Sequence, residues 1–359
     1  MAAVYKVFLL GSRCMLLIYG ATGYTGALIA AEAKRRGLPA VLAGRSAEKL
    51  RALAEPLGLE WRAFGLEAPN LDGARVVLHC AGPFSATSEK MVSACLRAGA
   101  HYLDITGEVD VFEAVFRRDA EARERGVGLL PGTGFDVVPS DCLAKLLAER
   151  LPGARTLELA FAPRGGSSPG TLKTMVEGAA VPQRVRRGGA LVPGFSVREI
   201  PFADKQRRAM SISWGDLATA FRSTGIPDIT VYLAARQSTI RAARLAPLAA
   251  PVLGLAPVQR FLKARIERSV RGPGEEARRS GGVQLWGRVT HGARSVEATM
   301  QVPDGYSFTA DAALACALRA LSGQLKPGAT TPSLAFGSSF AGSLGGVRVT
   351  FGSDASNSG

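Results

Sequence analysis

With 359 residues, 47% of them hydrophobic and 21% charged, the chain has enough apolar surface to bury two domains, which excludes disorder as its resting state. A formal charge of +14 and a pI near 10.1 fit either a merely basic surface or an acidic ligand: a phosphorylated cofactor, an anionic lipid surface or a nucleic acid. Nucleic acid drops out, because no basic stretch is interleaved with stacking aromatics.

Residues 1–14 read as a dispensable extension upstream of the fold. Their apolar run, 7–10, is too short for a secretory h-region, and the first strand opens naturally at Met15. From there to residue 142, continuous apolar runs alternate with amphipathic helical patterns. The strands are MLLIY (15–19), AVLAG (40–44), a weaker one at 61–64, VVLHC (76–80), HYLDI (101–105) and GVGLLPG (126–132). Helices are predicted up to Arg36, over 47–57, over 89–98 and, as one long charged helix, over 109–125. This alternation predicts an α/β fold for residues 15–142: a Rossmann-type parallel sheet with helices on both faces.

After residue 141 the rhythm changes. A helix at 142–151 leads to a strand at 156–163 and a helix near 171–179. Longer alternating strands follow at 210–214, 229–235, 283–290 and 295–302, with few helices between them. Residues 143–328 are therefore expected to form a second, α+β domain on a mostly antiparallel sheet, serving substrate binding or dimerisation. Residues 329–359 are expected to pack back near the active-site cleft. The segment 245–272 is apolar but too short and too rich in proline and glycine to span a bilayer. Basic residues then follow at Arg260, Lys263, Arg265, Arg268 and Arg271. This segment fits a plain surface helix, a contact in a homodimer, or a peripheral contact with a membrane interface.

The glycine run Gly20-Ala-Thr22-Gly23-Tyr24-Thr25-Gly26 follows the first strand and opens the first helix. Glycine there permits a tight turn and lets a pyrophosphate approach the free N–H groups of the helix N-terminus. At the end of the second strand, where NAD-binding folds place an acidic residue, this chain has Gly44-Arg45-Ser46, with Lys49 one turn on. Arg45 can grip a 2′-phosphate that a carboxylate would repel, so the expected cofactor is NADP(H). The loop Cys80-Ala81-Gly82-Pro83 ends the fourth strand and is expected to flank the nicotinamide ribose.

Candidates for proton transfer lie where the fifth and sixth strands end. Tyr102 and Asp104 share one face of a strand, Glu108 lies beyond its end, and Asp136, Ser140 and Asp141 are placed on the loop after the sixth strand. The catalytic expectation falls on Glu108, Asp136 and Tyr102, with loop bracing, helix capping and a core tyrosine as their plainer roles. The five cysteines are scattered, and neither they nor the three histidines reach metal-ligand spacing. That argues for a reducing, cytoplasmic compartment and against structural zinc.

The stretches GATGYTG, AGRSAEKL, CAGPF, YLDITGE (102–108) and PGTGFDVVPSDC (131–142) resemble the saccharopine dehydrogenase-like oxidoreductases. The group that includes the mycobacterial trans-acting enoyl reductases is the most similar. The likeness continues weakly through GPGEEARRSG (272–281) and PDGYSFTADAAL (303–314) and resumes at TTPSLAFG (330–337). The resemblance implies an NADP-binding Rossmann domain, an α+β domain and a role in lipid or polyketide metabolism. Fold alone does not fix the substrate. The leading expectation is reduction of an activated C=C (enoyl) or C=O bond of a lipid-like substrate. Two others stand beside it. One is a saccharopine-type imine or amino-acid dehydrogenase, which needs a carboxylate-binding cation such as Arg164, Lys173, Arg184 or Arg222. The other is a non-catalytic NADP-binding protein on a lipid surface.

Overall fold

The computed structural model describes residues 16–164, 168–178, 181–270 and 272–352. The expected extension at 1–14, Met15 and Arg271 lie outside the described residues.

The first sheet follows the aliphatic runs. Strands β1 (Leu16–Tyr19), β2 (Val41–Gly44), β3 (Glu60–Ala63), β4 (Val76–His79), β5 (His101–Asp104) and β6 (Gly128–Leu130) alternate with helices. These are α1 (Tyr24–Arg35), α2 (Ala47–Leu57), α3 (Phe84–Ala98), α4 (Val109–Arg117) and α5 (Asp119–Glu124). The strands pair in parallel in the order β3-β2-β1-β4-β5-β6. Every residue of β1, β2 and β4 is buried, as a sheet covered on both faces requires. Two helices differ from expectation. α3 begins at Phe84 rather than 89, because the Glu108 carboxylate accepts hydrogen bonds from the first free N–H groups at Phe84 and Ser85. The long helix over 109–125 is divided at Arg118, a change of direction that keeps both Phe112 and Ala122 fully buried.

Helix α6 (Val138–Arg150) carries the chain to the second sheet. That sheet holds β7 (Thr156–Arg164), β8 (Arg184–Arg187), β9 (Ala190–Pro193), β10 (Val197–Pro201), β11 (Gln206–Ser211), β12 (Asp228–Ala234), β13 (Gly282–His291) and β14 (Arg294–Pro303). Between them run α7 (Pro169–Gly178), α8 (Asp216–Thr224), α9 (Gln237–Leu253), α10 (Ala256–Ser269) and α11 (Glu275–Arg279). The pairing is antiparallel except between β7 and β12. More helices separate the strands than expected, and β8 to β10 were not foreseen. β8 (RVRR) and β10 (VREIP) lack an apolar run, and β9 (ALVP) is a short one closed by proline. Arg186 of β8 is nevertheless buried, because its guanidinium donates to the Leu217 and Gly189 carbonyls and pairs with Glu113.

The end of the chain serves both sheets. Helix α12 (Gly305–Leu321) leaves β14 and packs on α1, β4 and β5. β15 (Gly328–Ala329) then pairs in parallel with β6 as the seventh strand of the first sheet. After α13 (Pro332–Phe336), β16 (Arg348–Phe351) pairs with β14 at the edge of the second sheet. The expected boundary at 142/143 falls inside α6, and α12, expected in the second domain, covers the first sheet. One continuous hydrophobic core accordingly joins the layers, from Leu17 and Leu78 to Leu159, Leu217 and Leu285.

Candidate active site

The glycine run forms a turn at the carboxyl end of β1, as predicted. Gly20 has φ +82°, and a Cβ there would lie 2.6 Å from the Ala81 nitrogen. A Cβ on Gly26 would lie 2.3 Å from the Gly20 carbonyl oxygen, so only glycine lets α1 approach the loop. Helix α1 starts at Gly23 without a side-chain cap. Its first N–H groups are therefore available to an anion, and Thr22 and Gly23 are exposed beside them. Thr25 stands in the same turn, partly exposed. At the end of β2, Arg45 and Lys49 are exposed, while the Ser46 hydroxyl accepts from the Lys49 N–H and caps α2. This donor set fits a dinucleotide: a backbone cradle for its pyrophosphate and two exposed cations for a 2′-phosphate.

The loop after β4 stands against the glycine turn. Gly82 is exposed and Cys80, Ala81 and Pro83 are partly so. Thr87 Oγ lies 2.7 Å from the Ala81 carbonyl oxygen and 3.0 Å from His79 Nε2, which steadies the loop from below. Burial holds His79 neutral by pushing its pKa down to about 3. From the other side Glu108 Oε1 accepts from the Phe84 N–H at 2.9 Å and Oε2 from the Ser85 N–H at 2.8 Å. Glu108 thus acts on the α3 N-terminus and on the loop that precedes it.

Tyr102 and Asp104 do share a face of β5, as alternation predicted, but both are fully buried. The Tyr102 hydroxyl donates to Asp104 Oδ2 at 2.7 Å and lies 3.0 Å from Ser88 Oγ. Asp104 Oδ1 accepts from the Thr106 and Gly132 N–H groups, which ties the end of β5 to that of β6. A closed core network of this kind removes Tyr102 from contact with a substrate. Ser140 and Asp141 are likewise corrected: they lie in the first turn of α6, not in the loop. Buried Asp141 accepts from the Ser333 N–H at 2.7 Å, so the motif PSDC holds the turn of the motif TTPSLAFG.

Asp136 is different. It follows Gly132 and Gly134, both of which lie in close contact: a Cβ on the first would meet Phe112 and on the second Thr309 of α12. Asp136 Oδ1 is shut off from solvent and has no hydrogen-bond partner among the described residues. Oδ2 faces the bare Cα of Gly107, where a Cβ would come within 2.7 Å. Burial, reinforced by the nearby Asp216 carboxylate, pushes the Asp136 pKa up to about 7. Asp216, in the first turn of α8, is itself buried, its Oδ1 without a partner among the described residues, and burial raises its pKa to about 7. The corner that carries it is fixed by the Gly215 N–H, which donates to the Gly107 carbonyl at 3.0 Å. Phe135, Phe161 and Trp214 form an aromatic chain beside Asp136, with ring centroids 6.0 and 4.8 Å apart. Sequence reasoning missed Asp216 and Trp214. The Gly-Asp pair ahead of an amphipathic run, a helix-start signal, was their only mark.

Tyr24, at the first turn of α1, reaches the second domain. Its hydroxyl donates to the Pro273 carbonyl at 2.5 Å and accepts from Arg278 at 3.0 Å, and its ring stands edge-on to Tyr306 at 5.0 Å. Gly272 has φ +81°, and a Cβ there would come within 2.7 Å of the Tyr24 ring. Three separate motifs therefore meet at one tyrosine. A cavity of ~350 Å³ opens beside Arg278, lined also by Glu275, Pro303, Asp304 and Ser307, and shares no residue with the Asp136 site.

The parallel sheet, the glycine turn at the end of its first strand and the second sheet behind it define a two-domain dinucleotide-binding protein of the Rossmann type. Residues 16–130 match the family model of the saccharopine dehydrogenase NADP binding domain, and the chain is built on such an NADP-binding domain. It is 29% identical over 171 residues to the human saccharopine dehydrogenase-like oxidoreductase, a match covering 41% of this chain and 40% of that one. It is 32% identical over 163 residues to the trans-acting enoyl reductase of Mycobacterium ulcerans (strain Agy99), covering 40% and 38%. The matches thus span only 38–40% of these relatives' lengths. Among solved structures, the apo saccharopine dehydrogenase (L-Glu forming) of Saccharomyces cerevisiae superposes with a TM-score of 0.65 over 95% of this chain and all of that one. At 11% identity the likeness is one of fold, and it extends through the second domain.

Proposed function

We propose that the protein is an NADPH-dependent oxidoreductase that reduces an activated C=C (enoyl) or C=O bond of a lipid- or polyketide-like substrate. The observation that carries this reading is the placement of Asp136 after the glycine turn that follows β6, with Oδ1 shut off from solvent and burial raising its pKa to about 7. Bound NADPH would supply a hydride to the electrophilic carbon, and the other atom of the reduced bond must then take up a proton. Asp136 is the group at the strand ends suited to give it, because a general acid works best with a pKa near the working pH. Its Oδ2 lies against the bare Cα of Gly107, where any side chain would displace it. Phe135 and Trp214, partly exposed and packed on the buried Phe161 ring, offer apolar surface, which favours an aliphatic substrate over an ionic one.

The name of the mycobacterial relative supports reduction of an enoyl group. A saccharopine-type reaction is less well supplied with cations. Arg164 pairs with Asp204, Arg184 with Asp110 through both nitrogens, and Arg222 with Asp119, so three of the four candidates are already engaged. NADPH oxidation with enoyl thioesters, ketones, or an amino acid plus a 2-oxo acid tests the reading. Turnover of the first or second, and not the third, is expected. Turnover of the third alone, or of none, would overturn it.

A further inference from the structure

Nine large hydrophobic side chains are exposed among the described residues, and six of them gather in one part of the second domain. Met175 and Val181 belong to α7 and the residues just after it, Leu245 and Val252 to α9, Leu255 to the turn that follows, and Phe261 to α10. All are 52–64% exposed. The elements are physically joined. Helices α7 and α10 pack together, and Gln259 of α10 donates to the Val176 and Leu253 carbonyls. The exposed apolar residues therefore sit on adjoining helices and make one surface region.

That face is also cationic. Residues 237–269 contain Arg241, Arg244, Arg260, Lys263, Arg265 and Arg268 against a single acidic residue, Glu267. On α10 the exposed positions Arg260, Phe261, Ala264, Arg265 and Arg268 repeat at helical spacing, which sets arginines on either side of the phenylalanine. Among the described residues Arg241, Arg244, Arg265 and Arg268 form no salt bridge. No described helix is long and apolar enough to cross a membrane, so the surface can lie on a bilayer but not span it. A second copy is a poor occupant, because a two-fold contact would set this row of cations against itself.

We propose that α9 and α10, with α7 beside them, dock on an anionic lipid bilayer. Val252, Leu255 and Phe261 enter the boundary of the acyl chains while the arginines meet lipid phosphates. The inference rests on this surface and not on the chemistry assigned to Asp136. Flotation of the full chain with vesicles tests it. Binding is expected to phosphatidylcholine vesicles containing phosphatidylglycerol, to be absent with phosphatidylcholine alone, and to weaken with added salt. The triple substitution R260E/R265E/R268E should lower vesicle affinity by about a hundredfold. L255E/F261E should abolish insertion, and both variants should keep the melting temperature because these side chains are exposed. If L255E/F261E fails to fold, the arginine variant decides. Three outcomes would overturn the proposal: no flotation at low ionic strength, flotation indifferent to the arginine variant, or a dimer in light scattering that L255E/F261E dissociates.

Discussion

Glu108 and Asp136 stand beyond the ends of neighbouring strands, and their surroundings give them different work. Both oxygens of Glu108 are occupied by the N–H groups of Phe84 and Ser85. Glu108→Ala should therefore cost about 1 kcal/mol of stability, the usual value of a lost helix cap, and weaken NADPH binding with it. Differential scanning fluorimetry and a cofactor titration would check both. Asp136→Asn should leave NADPH affinity nearly intact and lower kcat about a hundredfold or more. In the unsubstituted protein kcat should fall as pH rises through about 7, where Asp136 loses its proton. An unchanged kcat in Asp136→Asn would move proton donation to solvent or another residue. At the other end of the crevice, exposed Arg45 should set cofactor choice by about tenfold or more, and Arg45→Asp should narrow or invert that preference in paired NADPH and NADH titrations. The residue types at the site were legible because their places follow from strand ends. What Glu108 holds was not, since its partners are 23 and 24 residues away and are met only in the folded chain.

The element that links the two halves of the crevice is the stretch from Gly272 through α11. It lies on Tyr24, within the glycine turn proposed to hold the pyrophosphate. Tyr24→Phe would keep the ring contacts with Gly272 and Tyr306 but lose the hydrogen bonds to Pro273 and Arg278. At about 1 kcal/mol for each of the two bonds lost, NADPH should then dissociate up to about thirtyfold faster, with little change in the fold. Stopped-flow displacement of NADPH reads that rate, and an unchanged rate would make the contact merely structural. The parallel sheet was readable from continuous apolar runs. Strand β8 was not, because a buried arginine satisfied by carbonyls, Arg186, mimics a solvated loop. Helix α12 was also missed: its polar first turn hides an apolar body that covers α1.

Across the whole molecule, burial raises the pKa of four aspartates: Asp104 to about 6, Asp136 and Asp216 to about 7, and Asp141 above the usual carboxylate value. The unfolded chain would titrate them near 3.8. Between these values the native state holds more protons than the unfolded one, so these groups make stability fall as pH rises. The loss should run from about pH 4 to about pH 7 and level off above. Repulsion within a chain of net charge +14 opposes this at the acid end. Denaturant titrations across that range should show a shallower slope in Asp136→Asn than in the unsubstituted protein. A slope of equal size would mean that Asp136 does not hold its proton in the native state.

The pairing of β15 with β6 has a consequence for how the chain is made. Synthesis delivers the first six strands early, but the outer side of β6 waits for Gly328 and Ala329. Until they emerge, the nascent chain shows the cell an open strand edge, able to recruit another chain in place of its own late strand. The same two residues are then clamped by Asp119, which accepts from the Ala329 N–H, and by Arg222, which donates to its carbonyl. A ribosome paused within the second domain would prolong that exposure, so the rate of translation through residues 143–327 bears on yield as directly as the stability of the finished fold.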